Sequence, residues 1–278
     1  MAAQCPSCEG TPGTRDRLAV GAYLGQVARS ATAPRCHLSA VAHVEARALP
    51  EHAHDWPFVS MLLKGSYVSR TRTREIEFGR STAVYHPGAF QHRDEIGRDG
   101  ATFLCLQLDP ALLRDIDMPR GCDDDIATLD EDQAYLALGA LYCALWTGAD
   151  EFVFEALAAE LAACLFSGDG DGRRAEPAWL KRVEGRLREE MRVPLADLAE
   201  DAGVHVTTLT RLFRRHRNCS IGEFRACARA RRAFLEIVGD DAPLAEISLA
   251  AGYADQSHMT RDVAAIFGLS PGRIRSRA

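Results

Sequence analysis

One short pattern occurs twice in the last hundred residues, about fifty positions apart. The first copy is Leu195-Ala196-Asp197-Leu198-Ala199-Glu200-Asp201-Ala202-Gly203, then Val204-His205-Val206, then residues 207–216. The second is Leu244-Ala245-Glu246-Ile247-Ser248-Leu249-Ala250-Ala251-Gly252, then Tyr253-Ala254-Asp255, then residues 256–261. In each, a short amphipathic stretch ends at a glycine that can take positive φ in a tight turn. A second stretch then sets apolar residues at helical spacing: Leu209, Leu212 and Phe213 in one copy, Met259, Val263, Ile266 and Phe267 in the other. Two helices joined by a short glycine-bearing turn are a helix-turn-helix unit, whose second helix enters the DNA major groove. One such pattern is a weak signal. Two in tandem, joined by a helix-like stretch over 221–238, are a strong one.

The rest of the chain accommodates that reading. Its 278 residues suffice for two domains. The net charge of −6 is unevenly placed. From Pro177 onward there are 17 basic and 13 acidic residues, against 16 and 26 before it. A mildly basic reader on an acidic body fits DNA contact through one face. No apolar run reaches the roughly 18 residues of a membrane helix, and the first 30 residues lack a basic-then-apolar leader. A cytoplasmic protein without membrane contact is expected. Several of the nine cysteines fall inside apolar patterns, as buried reduced thiols do.

Residues 1–34 read as a flexible tail and lead-in, polar and rich in Gly, Pro and Thr over the first 17. From 35 to 109 the texture is of short strands: 37–46, 58–63 before a turn at 64–66, 67–72, 75–78, 82–85 and 102–108. Such strands, punctuated by Gly and Pro, predict a sandwich or barrel over 35–120. Two Leu/Ala-rich helices are expected at 130–146 and 151–166, within a helical segment 121–168. A linker over 169–176 follows, then helical residues 177–278 with Pro177 before a helix at 179–191. The fold class is α+β. The helical pair is expected to form a homodimer contact, with the C-terminal domain loosely tethered.

The C-terminal third resembles the AraC/XylS family of bacterial transcription regulators. The resemblance rests on Leu209-x-Arg211-x-Phe213, Gly222-x-x-Phe224, Ala245-x-Ile247-x-x-x-x-Gly252-Tyr253, Gln256-Ser257-His258 and Phe267-Gly268-x-Ser270-Pro271. It implies seven helices, with recognition helices near 206–217 and 255–267, and double-stranded promoter DNA as partner. RNA polymerase is a further candidate partner.

Helix geometry then selects the readers. With Leu209, Leu212 and Phe213 inward, Thr207, Thr208, Thr210, Arg211 and Arg214 face out, and Arg215 is a phosphate candidate. The matching face of the second helix carries Gln256, Ser257, Thr260 and Arg261. Arginine can bridge guanine O6 and N7, and glutamine suits adenine. His205 and His258 read as packing or capping residues. The second unit departs from the family pattern: Ala264 and Ala265 align with Arg214 and Arg215, and Asp262 adds negative charge.

The N-terminal region is similar in outline to the cupin-like barrel with which many family members sense an effector, on His52-Ala53-His54, Gly65, Gly79 and Pro87-Gly88-x-x-x-His92. Cupin metal sites add a Glu after the His-x-His, and Phe58 stands in its place here. Three imidazoles could still hold a divalent metal, and Asp94 or Glu95 could stand in for the Glu. The reading adopted is a metal-free barrel without cofactor. In it His52, His54, Trp56, Tyr85, His86 and His92 line a pocket for a small-molecule effector. Cys5 and Cys8 read as part of a passive tail. Two alternatives stand beside this regulator: a ligand-independent dimeric regulator, and a metal-dependent cupin enzyme fused to DNA-binding helices.

Overall fold

A computed structural model describes residues 17–79, 82–115, 126–129, 132–166 and 176–277. Cys5, Cys8 and most of the expected linker lie outside them. Among the described residues there are ten strands: β1 (Arg17–Leu18), β2 (Gln26–Ala33), β3 (Cys36–His43), β4 (Arg47–Ala48), β5 (Ala53–His54), β6 (Phe58–Arg70), β7 (Glu75–Phe78), β8 (Ala83–His86), β9 (Arg93–Leu108) and β10 (Ala127–Leu129). The main sheet runs β10-β8-β6-β9-β3-β2, with β4 added to β9 and β7 to β6, and β1 pairs in parallel with β5. Among the described residues β2 and β10 do not pair, so the sheet is open where the sequence suggested a closed barrel.

Strand alternation gives this sheet two apolar faces. Leu38, Val59, Met61, Leu104, Leu106 and Tyr85 pack toward the helices. Val41, Leu62, Val84, Phe103 and Cys105 pack on the opposite face, where Val41, Phe103 and Cys105 line an inner cavity. The turn expected at 64–66 is instead a bulged stretch within β6, where pairing to β9 shifts register on either side of Lys64 and Gly65. Gly65 has φ +85°, and a Cβ there would sit 2.0 Å from the Gly100 carbonyl oxygen. Only glycine allows the two strands to approach so closely. β2 escaped sequence reading because it is an edge strand exposed along most of its length, so it shows no apolar alternation.

Helices α1 (Pro110–Asp115), α2 (Asp132–Thr147) and α3 (Glu151–Phe166) follow, and α2 packs on α3. The C-terminal domain has seven helices: α4 (Leu180–Glu189), α5 (Leu195–Ala202), α6 (Val206–Arg217), α7 (Ile221–Gly239), α8 (Leu244–Ala250), α9 (Gln256–Phe267) and α10 (Pro271–Arg275). α2 is buried on nearly every side because it lies between the sheet and α7 and α9. The Tyr135 hydroxyl accepts the Ala83 backbone N–H at 2.9 Å on the sheet side. On the other side Tyr142 meets Phe234, and a Cβ on Gly139 would come within 2.6 Å of Phe267.

An ionic clasp fastens the same contact. Asp132 is buried, with Oδ1 2.9 Å from Arg231 Nη1 and Oδ2 3.2 Å from Arg188 Nε. The Arg231 guanidinium also lies 3.6 Å over the Tyr135 ring. The C-terminal domain is therefore docked through α2, and the loose tether read from the Gly/Asp-rich composition does not describe it.

Candidate DNA interface and sensor cavity

α6 and α9 begin and end within a residue of the expected recognition helices. His205 caps α6, its Nδ1 accepting from the Thr207 backbone N–H at 3.3 Å and lying 2.9 Å from Thr207 Oγ1. Asp255 caps α9, accepting from the His258 N–H at 2.8 Å. Gly203 and Gly252 end the preceding helices with φ of +65° and +87°. Leu209 and Phe213 are fully buried, as are Met259, Val263 and Phe267, while Leu212 is half-buried and Ile266 is exposed.

Thr207, Arg211, Arg214 and Arg215 are exposed on α6, and Thr208 and Thr210 are half-buried. The Thr210 hydroxyl donates to the Val206 and Thr207 carbonyls, so what it offers outward is chiefly its methyl. Arg217 is not part of this face: it pairs with Glu184 and Glu176 and ties α6 to α4. On α9, Gln256, Ser257 and Arg261 are exposed and Thr260 is half-buried. Arg261 Nε donates to the Ser257 carbonyl at 3.3 Å, and Asp262 lies 3.4 Å from His258 Nε2. The α9 surface beyond Arg261 carries Ala265 and Ile266 rather than cations.

In the N-terminal domain, the cavity is lined by Tyr23, His43, His52, His54, Phe58, Tyr67, His92, Asp94 and Cys105, among others, and encloses about 50 Å³. The chain brings the histidines together through local periodicity and one bridge. His52 and His54 stand two apart in extended chain, and His52 pairs with His92 backbone to backbone. His92 and Asp94 again stand two apart. The His52 and His92 rings are 4.3 Å apart, and His86 stacks on Phe58 at 4.2 Å. Phe58 thus fills the cavity wall with a ring at the position where the sequence resemblance expects a Glu.

Burial governs the electrostatics here. It pushes the His54 imidazole down to about 3, helped by His92 and His52, and lowers His86 and His92 as well. Burial, with the charge of Asp94, pushes the Cys105 thiol up to about 12 and raises the Tyr67 phenol. Ser69 Oγ donates to Asp94 Oδ1 at 2.9 Å.

Three residues expected to line the pocket do not. His86 is buried against Phe58, with Nε2 3.2 Å from Ser60 Oγ. Tyr85 points to the opposite face of the sheet and packs among the residues under α2 and α3, because it is out of phase with Val84 and His86 on β8. Trp56 lies at a separate surface hollow with Val20, Cys36 and Glu151. Sequence reading missed Tyr23 from the loop before β2, Tyr67 and Ser69 on β6 and Cys105 on β9, which no local motif links to the histidines. It named Asp94 without being able to place it.

No helix among the described residues is long and apolar enough to cross a membrane. Residues 198–277 match the family model of a helix-turn-helix domain. No curated protein matches the sequence. Among solved structures, the chain is similar to ToxT from Vibrio cholerae strain SCE256 bound to an unsaturated fatty acid, at 10% identity and TM-score 0.37, covering 86% of this chain and 94% of that one. An AraC-type DNA-binding regulator from Chromobacterium violaceum shares 22% identity, with 36% and 92% coverage and TM-score 0.34. A cupin superfamily protein from Desulfitobacterium hafniense shares 17%, with 32% and 84% coverage and TM-score 0.28. The two helix-turn-helix units lie on either side of α7 and the family match runs across both, so residues 198–277 form a helix-turn-helix domain of that family.

Proposed function

We propose that this regulator reads a bipartite promoter element with α6 and α9 and is controlled by a small ligand held in the N-terminal cavity. The observation that carries the reading half is the pair of exposed, capped helices presenting Arg211 and Arg261 at equivalent positions of the repeat. The cavity supports the control half. It is buried, polar and set in the domain that grips the reader through α2, so its occupancy can bias that grip. Its volume favours sensing over turnover, since about 50 Å³ admits an ion or a few waters, against roughly 300–1,000 Å³ for sites that hold organic ligands. An organic effector would have to open it. With α2 occupied by the reader, the homodimer contact falls to α3, whose Phe152 and Val153 are exposed.

Selection of bound sequences from random duplex DNA by the full-length protein tests the reading half. Enrichment of two conserved blocks about one helical turn apart is the expected result, and failure to enrich any sequence would overturn it.

A further inference from the structure

His52, His54 and His92 bring one ring nitrogen each within 4.8 Å of the others. Neighbouring carbonyls fix the tautomer of two rings. Nδ1 of His52 lies 2.9 Å from the Pro50 carbonyl oxygen, and Nδ1 of His92 lies 3.2 Å from that of Phe90. A carbonyl oxygen only accepts, so each Nδ1 carries a proton and Nε2 is the nitrogen turned inward. Both Nε2 atoms face Asp94, whose Oδ2 stands 3.7 Å from that of His52 and 3.6 Å from that of His92. Ser69 occupies the other carboxylate oxygen. No lysine or arginine pairs with this buried carboxylate among the described residues. Ser69 and Tyr67 hydrogen-bond to Asp94, and three buried ring nitrogens still converge beside this carboxylate without a lysine or arginine among the described residues, an arrangement that suits a cation.

We propose that His52, His54, His92 and Asp94 bind one divalent transition-metal ion. Three imidazoles and one carboxylate suit zinc, manganese, iron(II), cobalt or nickel rather than calcium or magnesium. Hydrogen bonds from the outer ring nitrogens to the Pro50 and Phe90 carbonyls are the support that metal-bound imidazoles need. Ligands about 2.0–2.2 Å from an ion stand roughly 3.0–3.6 Å from one another. The contacts of Asp94 with His52 and His92 are already near that spacing; the three imidazoles have to close inward, His54 toward Asp94 among them. Asp94 supplies from β9 the negative charge that Phe58 cannot, which departs from the metal-free reading of the sequence. The consequence for regulation rests on the sensor reading above; the ion site itself rests on the geometry.

The test uses full-length protein in a Cys5→Ser/Cys8→Ser background, so that the two tail thiols do not compete, stripped with a chelator and titrated with Co²⁺ and Zn²⁺. One ion per chain by calorimetry, a cobalt absorption band and a raised Tm are expected. His92→Ala should weaken binding by at least about 100-fold and Asp94→Asn or Ser69→Ala by about 10-fold, with circular dichroism of each metal-free variant unchanged. Absence of stoichiometric binding, or equal binding by a His52→Ala/His54→Ala variant, overturns the site. Promoter affinity is measured with and without the ion. An ion that binds without changing affinity upholds the site and contradicts the ion as signal. An organic compound that changes affinity in a protein binding no ion overturns the site and leaves the sensor reading standing.

Discussion

Arg211 and Arg261 hold the same place in the two copies of the repeat, but their surroundings differ. Arg211 is followed on the exposed face by Arg214 and Arg215; Arg261 is followed by Asp262 and two alanines. Arg211→Ala should therefore cost about 1–3 kcal/mol of binding and relax base preference beneath α6. Arg261→Ala should cost less. Arg214→Ala and Arg215→Ala should weaken all sequences alike and flatten the salt dependence by about one unit each if each meets a phosphate. Fluorescence anisotropy on matched and scrambled duplexes across a salt series separates these outcomes, and equal losses at Arg211 and Arg261 would contradict the asymmetry. These outward faces were legible in the sequence because period-3.6 spacing fixes which residues pack inward. The cavity was legible only where partners lie two apart, as His52 and His54 do, or His92 and Asp94. Tyr67 and Cys105 reach it through strand pairing across long separations, and Tyr85 was misplaced by one step of alternation.

At the scale of elements, the seven-helix domain follows the repeat closely because caps and turn glycines mark its boundaries. Ser220 and Glu223 form a reciprocal capping box that starts α7. Gly252 shows what a turn glycine is for: with φ +87° and Met191 Cβ only 2.6 Å from where its own Cβ would be, any side chain is both strained and blocked. Gly252→Ala should destabilise the domain by about 1–3 kcal/mol. Gly203→Ala, where nothing lies within 4 Å, should cost about 1 kcal/mol from φ alone. Urea unfolding of the two variants measures the difference. The N-terminal strands were less legible. β2 has no buried face, β6 passes through Gly65 without turning, and β9 extends well before its apolar half, so local composition suggested breaks where pairing with neighbours sustains the strand.

For the molecule as a whole, the apolar girdle of α2 was read as a surface awaiting a second copy, and the fold uses it to hold the reader. Composition tells that a helix is buried but not by what. Removing the clasp with Asp132→Ala leaves Arg188 and Arg231 without their shared carboxylate, and the loss of a buried pair costs about 3–5 kcal/mol. Gly139→Leu would force Phe267 away from α2. Both variants should speed proteolysis between the domains and change promoter affinity without altering base preference. An assembly through α3 predicts that Phe152→Glu combined with Val153→Glu converts a sedimenting dimer to monomer. The central claim is that a single chain reads DNA with two helices of unequal strength. A hydroxyl-radical footprint of the full-length protein on its selected site tests that claim most directly. Two protected patches per chain on one face of the duplex, about 34 Å apart, with the α9 patch lost first as salt rises, are predicted. A single short patch per chain, or two patches that fade together, would contradict it.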